Sequence, residues 1–127
     1  MAQDYQDLIV WQKAIELPVC TYKLTRSFPK EELYALTSQM RRAAISVASN
    51  IAEGRGRLNP LEFRQFLGIA QGSIFELKTQ LLVAKRLGMG QEKELAQAEA
   101  LSEEVSKMLA AFIEELRPAT KKLRAES

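Results

Sequence analysis

The side chains in this sequence that could do chemistry concentrate in two stretches. Gln39, Arg42, Ser46, Asn50 and Glu53 recur every three or four residues, and Ser73, Glu76 and Gln80 repeat that spacing further on. On a helix such spacing places each set on a single face. Glu53 and Glu76 are the carboxylates an acid–base pair or a metal site would use, provided they converge on an open pocket. Buried charge is costly unless it is paired and hydrogen-bonded. The plainer expectation is an internal polar network of Gln39, Arg42, Ser46, Asn50, Glu53, Ser73 and Glu76, with Arg42 held by Glu76 or Glu53. A ligand- or partner-recognition site is the other reading of the same residues.

Histidine is absent from all 127 residues. This removes Ser-His-Asp and Cys-His relays, an imidazole base, and any His-containing zinc or di-iron site. The chain therefore reads as non-enzymatic, with no metal or cofactor expected. Cys20 is the single cysteine, so no internal disulfide can form, and a packed thiol is expected.

Basic side chains form a second group: Arg41, Arg42, Arg55, Arg57 and Arg64, with Lys121, Lys122 and Arg124 near the C-terminus. Affinity for RNA or DNA is made largely from such contacts to phosphate. Arg41, Arg55, Arg57 and Arg64 are the candidate phosphate contacts. The net charge is only +2, which argues against a strongly basic surface overall. Gly54-Arg55-Gly56-Arg57 lacks the lysine and the preceding strand of a phosphate-binding loop.

Four helices are expected to position these residues. The first spans about Leu8 to Thr25, with Leu8, Trp11, Ile15, Val19 and Tyr22 as its apolar face and Pro18 as a kink. The second runs from about Tyr34 to Glu53 on a core stripe of Leu36, Met40, Ala44, Val47 and Ile51, and Gly54 suits a left-handed cap. Asn59-Pro60-Leu61-Glu62 opens the third helix as N-cap, first position and capping glutamate. Its core face is Phe63, Phe66, Leu67, Ala70, Ile74, Leu77, Leu81 and Ala84, and Leu87-Gly88-Met89-Gly90 turns the chain. The fourth, Gln91 to Leu116, carries the seam Leu95, Ala98, Leu101, Val105, Leu109, Phe112 and Leu116, with seven acids against two lysines from Glu92 to Glu115. No strand pattern appears. Short connections favour an all-α, antiparallel, up-down four-helix bundle as one domain over residues 1–127, with 1–7 and 118–127 as flexible ends.

One bundle seam leaves apolar residues over. Ile45, Ala48 and Ala52 lie on a second side of their helix, and Gly68, Gly72 and Phe75, with Leu82, on a second side of the next. Glycines inside a helix cost about 1 kcal/mol each relative to alanine, a cost usually offset by close approach of another helix. An oligomer interface at Ile45, Ala48, Ala52, Gly68, Gly72 and Phe75 follows, with a wide core face around a kinked first helix as the alternative. No apolar run is long enough to cross a bilayer, and the polar start Met1-Ala2-Gln3-Asp4 is unlike a signal peptide. No membrane association and a cytoplasmic location are expected.

The order of segments is also informative. Asp7-Leu8-Ile9-Val10-Trp11-Gln12-Lys13-Ala14 precedes Leu36-Thr37-Ser38-Gln39-Met40-Arg41-Arg42-Ala43-Ala44-Ile45-Ser46-Val47, then Asn50-Ile51-Ala52-Glu53-Gly54. Phe63-Arg64-Gln65-Phe66-Leu67-Gly68-Ile69-Ala70-Gln71-Gly72-Ser73 and Glu76-Leu77 follow. Over roughly Asp7 to Leu87 this resembles the bacterial four-helix-bundle family encoded in intervening sequences of large-subunit ribosomal RNA genes. That family is related to the accessory variability protein of diversity-generating retroelements. The resemblance implies an up-down bundle assembled as a ring-like homopentamer. For the retroelement relatives it implies binding of nucleic acid and of a reverse transcriptase through a basic surface. The expected function is a homo-oligomeric accessory protein that binds RNA or DNA, the alternative being a protein-interaction scaffold without nucleic acid.

Overall fold

Pro18 sets the shape of the first arm. It has no N–H to donate to the Ala14 carbonyl, and its ring crowds that oxygen. The arm accordingly divides at Ile15 into α1 (Ile9–Ala14) and α2 (Glu16–Thr25), as seen in the computed structural model, which describes residues 4–119. A single 3-10 turn, Tyr5–Asp7, precedes α1, and the Tyr5 ring meets the Trp11 ring edge-on. The basic tail expected at Lys121, Lys122 and Arg124 lies outside the described residues.

The second helix starts later than its apolar pattern suggests. A 3-10 turn at Lys30–Glu32 leads into a π-helical turn at Leu33–Thr37, within which Ala35 leaves helical geometry (φ −119°, ψ −108°). Regular helix then runs as α3 (Ser38–Arg55). Gly54 is not a left-handed cap: it is buried within the last turn of α3, and Gly56 (φ −77°) ends the helix. A β-carbon at Gly54 would stand 2.5 Å from Phe66 Cβ, so glycine is needed there for close contact with the next helix.

That next helix, α4 (Pro60–Arg86), begins at its expected cap, although among the described residues the Glu62 carboxylate returns no hydrogen bond to Asn59. The Asn59 side-chain oxygen accepts the Glu62 N–H at 2.9 Å, and Pro60 occupies the first turn, where its missing donor costs nothing. The turn into α5 (Glu92–Glu115) is made by Gly88 and Gly90, both at positive φ.

With α1 and α2 taken as one arm, each of the four arms has two neighbours: α3 packs most extensively on α4, α4 also on α5, and the first arm closes the circuit against α5 and α3. Links from α4 to α5 descend in order: Arg64 to Ile113, Gln71 to Ser106, Lys78 to Glu103 and Lys85 to Glu99. The shared core contains most of the expected faces of the last three helices: Met40, Ala44, Val47 and Ile51; Phe63, Leu67, Ala70, Ile74, Leu77, Leu81 and Ala84; Leu95, Ala98, Val105 and Leu109. Leu36, Leu101, Phe112 and Leu116 line it half-buried. Phe66, expected on the α4 face, stays half-buried outside it, against Gly54 and under Arg57.

The first arm keeps its expected face only at its start, where Leu8 is in the core and Trp11 packs against it, and departs from it after that. Val10, Ala14, Leu17, Thr21 and Leu24 turn inward, while Ile15, Val19 and Tyr22 are exposed. The arm carries two apolar stripes, and the one with the smaller residues Ala14 and Thr21 enters the core.

Candidate functional site

Part of the polar stripe assembles between α3 and α4. Ser46 Oγ and Ser73 Oγ lie 2.9 Å apart, and Asn50 Nδ2 donates to both the Ser46 carbonyl and its hydroxyl. These three residues are half-buried. The charged members are not drawn in: Gln39, Arg42, Glu53 and Glu76 are all exposed. Among the described residues neither Arg42 nor Glu76 has an ion pair, so the expected Arg42–Glu76 pair is not formed. Glu53 pairs instead with Arg57 one turn on, at 3.0 Å. The interface between α3 and α4 closes over hydroxyl and amide groups, and charge stays in solvent, where its hydration is kept. No group of three or more carboxylate or thiol side chains is gathered for a metal ion among the described residues.

The four candidate phosphate contacts are largely engaged within the chain. Arg41 donates from Nε to Thr25 Oγ1 at 2.9 Å and lies over the Tyr22 ring, tying α3 to α2. Arg64 donates to the Ile113 carbonyl at 3.0 Å in the last turn of α5, where that oxygen has no helical N–H to receive. Arg57 stacks over Phe66 as well as pairing with Glu53, and Arg55 stands over Phe63. Arg55 and Arg57 also border a hollow of about 310 Å³ with Leu58, Asn59, Phe63 and Leu116, which no carboxylate lines.

The residues expected at an oligomer interface divide into four groups. Ala48 is buried in the core of its own chain, where α3 meets its neighbours too closely to leave it for a partner. Ala52 is half-buried. Gly68, Gly72 and Phe75 lie on the outer side of α4, and a β-carbon at either glycine would meet nothing within 4 Å. Ile69, Leu82 and Val83 are exposed on the same helix. Ile45 belongs elsewhere, in a groove of about 580 Å³ between α2 and α3. Tyr22, Leu33, Tyr34 and Ser38 line that groove with Arg41, Arg42 and Ser46.

Tyr22, Leu33 and Tyr34 were not among the expected surface residues. For Tyr22 the signal is the doubled apolar stripe of the first arm, since only one stripe can enter the core; Leu33 and Tyr34 lie in the π-helical turn, which the periodicity does not mark. By contrast none of the exposed large apolar side chains lies on α5. Its surface carries glutamates, of which Glu99, Glu103 and Glu104 pair with Lys85, Lys78 and Lys13. The Lys78 ammonium, hydrogen-bonded at 2.6 Å, holds the Glu103 carboxyl below the usual carboxylate range.

This architecture has known counterparts. Residues 6–111 match the family model of the 23S rRNA-intervening sequence protein. The chain belongs to this family. Family membership agrees with the resemblance carried by the α1, α3 and α4 segments. The fold is similar to the crystal structure of a protein of unknown function from the S23 ribosomal protein family of Bacteroides thetaiotaomicron, at a TM-score of 0.76 and 21% identity. That similarity covers 88% of this chain and 99% of the other. No curated protein matches the chain. Among the described residues, no helix of this family member is long and apolar enough to cross a membrane.

Proposed function

We propose that this family member is a non-enzymatic accessory protein, an antiparallel up-down bundle that works as a homo-oligomeric scaffold. A pentamer is the assembly its family resemblance implies. The observation that carries the reading is the outer face of α4. Gly68 and Gly72 each weaken the helix by about 1 kcal/mol relative to alanine, yet nothing in their own chain approaches them. Around them Ile69 and Phe75 are 52% and 54% exposed. Open glycines flanked by apolar side chains suit close contact with a second copy, the commonest partner of such a face. Light scattering at micromolar concentration should give a multiple of 14.3 kDa, and Gly72→Leu with Phe75→Glu should lower it. A monomer mass for the unaltered protein overturns the reading.

A second reading, binding of RNA or DNA, is favoured by the hollow beside Arg55 and Arg57, whose lining includes no carboxylate. Arg41 and Arg64 contribute less to it because both are already hydrogen-bonded within the chain. Titration with RNA at low salt should show weak, salt-sensitive binding that Arg55→Glu with Arg57→Glu removes. Absence of binding, or binding unchanged by charge reversal, leaves the scaffold reading alone.

A further inference from the structure

The groove between α2 and α3 is separate from the outer face of α4, and no described residue fills it. At one end the π-helical turn presents Leu33 and Tyr34 outward, and Tyr34 is 92% exposed. Its middle is formed by Tyr22 and Ile45. Beyond them the exposed apolar stripe continues along the first arm through Val19 to Ile15. From Tyr22 to Ile15 is two helical turns, about 10 Å at the usual rise per residue. That is the span over which an amphipathic helix sets its anchors at i, i+4 and i+7 in a hydrophobic groove.

Charge selects the sign of the occupant. Among the described residues, Arg41 and Arg42 are the charged side chains lining the groove, and no carboxylate lines it. Arg41 is fixed by Thr25 and Tyr22, whereas Arg42 has no ion pair among the described residues. Arg41 already stacks on the Tyr22 ring, which leaves Tyr34 as the one uncovered ring among the described residues of the groove, beside the aliphatic Leu33 and Ile45. Successive bases need a row of rings, so a protein segment fits this surface better than a nucleic-acid strand.

We propose that the groove between α2 and α3 receives an acidic amphipathic helix of a partner protein, its apolar face on Val19, Tyr22 and Ile45 and a carboxylate on Arg42. This does not depend on the oligomer reading, which rests on α4.

The test uses the full chain and two fluorescently labelled, hydrocarbon-stapled helical peptides of about 15 residues. Both carry leucines on one face; glutamates flank that face in one peptide and lysines in its twin. The acidic peptide should bind at least about ten-fold tighter than the twin at low salt, the margin narrowing as salt rises. Ile45→Glu should weaken the acidic peptide by about ten-fold or more, and Arg42→Glu should reverse the preference between the twins. Both sites are exposed, and circular dichroism checks that the variants stay helical. Equal binding of the twins, no binding of either, or indifference to both substitutions overturns the proposal. Two further results do so as well. One is loss of oligomer mass on Ile45→Glu, which makes a second copy the occupant. The other is a single-stranded RNA that binds in an Arg42-dependent way and displaces the acidic peptide.

Discussion

Arg64 and Ile113 join the start of α4 to the end of α5 through one hydrogen bond, from the guanidinium Nε to the carbonyl oxygen at 3.0 Å. The cation stands where the α5 dipole is negative and supplies a donor that the helix itself lacks. Arg64→Ala should therefore cost about 1–2 kcal/mol, the range of a partly buried charge-assisted bond. Arg64→Lys should recover only part, because its ammonium keeps the charge and loses the planar fork. Urea denaturation of the three proteins checks this. Equal stability of Arg64→Ala and the unaltered chain would show that the bond contributes nothing.

Two glycines make opposite predictions. Gly54→Ala places a β-carbon 2.5 Å from Phe66 Cβ, an atom fixed to the α4 backbone, so the two helices must separate. A loss of about 1–3 kcal/mol is expected, as for other overpacked contacts. Gly72→Ala meets nothing within 4 Å and removes a weak helix former. In dilute protein it should stabilise the chain by about 0.5–1 kcal/mol. Thermal denaturation of both variants on one scale decides it; the argument fails if they shift in the same direction.

These contrasts mark what could be read from the sequence. The cores of α3, α4 and α5 follow for the most part from strongly periodic stripes, and the Asn59 cap and Gly88–Gly90 turn from residues with few alternatives. The first arm was misread because size and burial disagree: Ile15, Val19 and Tyr22 are the larger residues, yet Ala14, Leu17 and Thr21 fit the space between α3 and α5. The polar stripe was legible in position and not in partners. Spacing placed Ser46, Asn50 and Ser73 on facing helices, whereas the rotamers that leave Arg42 and Glu76 in solvent depend on hydration, which no spacing encodes. The same holds for Arg41, whose link to Thr25 crosses between helices.

Cys20 gives a prediction in pH. Burial, and secondly the nearby Glu16 carboxylate, push its thiol above the ordinary value, with Lys23 opposing. The folded chain then holds the thiol proton more tightly than the unfolded one. Stability from this group is complete below the ordinary thiol value and is lost as pH rises through the raised one. Since the thiolate is the nucleophile, alkylation by iodoacetamide at pH 8 should run at least about three-fold slower in the folded protein than in urea. Glu16→Gln should narrow that gap. Faster reaction of the folded thiol would contradict the assignment.

Thr21 and Ser102 are fully buried, and their hydroxyl oxygens have no hydrogen-bond partner among the described residues. An unmatched buried hydroxyl loses its hydration without compensation, so removing it should help rather than harm. Thr21→Val exchanges the hydroxyl for a methyl of similar volume and leaves no cavity. Ser102→Ala removes one oxygen on α5 and raises helix propensity as well. Each should stabilise the chain by about 0.5–1 kcal/mol, and the pair should be close to additive if the two sites share no partner. Thr21→Val separates this from a simple propensity change: valine and threonine are about equal as helix formers, so a gain there must come from desolvation. Calorimetry on the single and double variants supplies the measurement, and a lowered melting temperature for Thr21→Val would mean that its hydroxyl is satisfied after all.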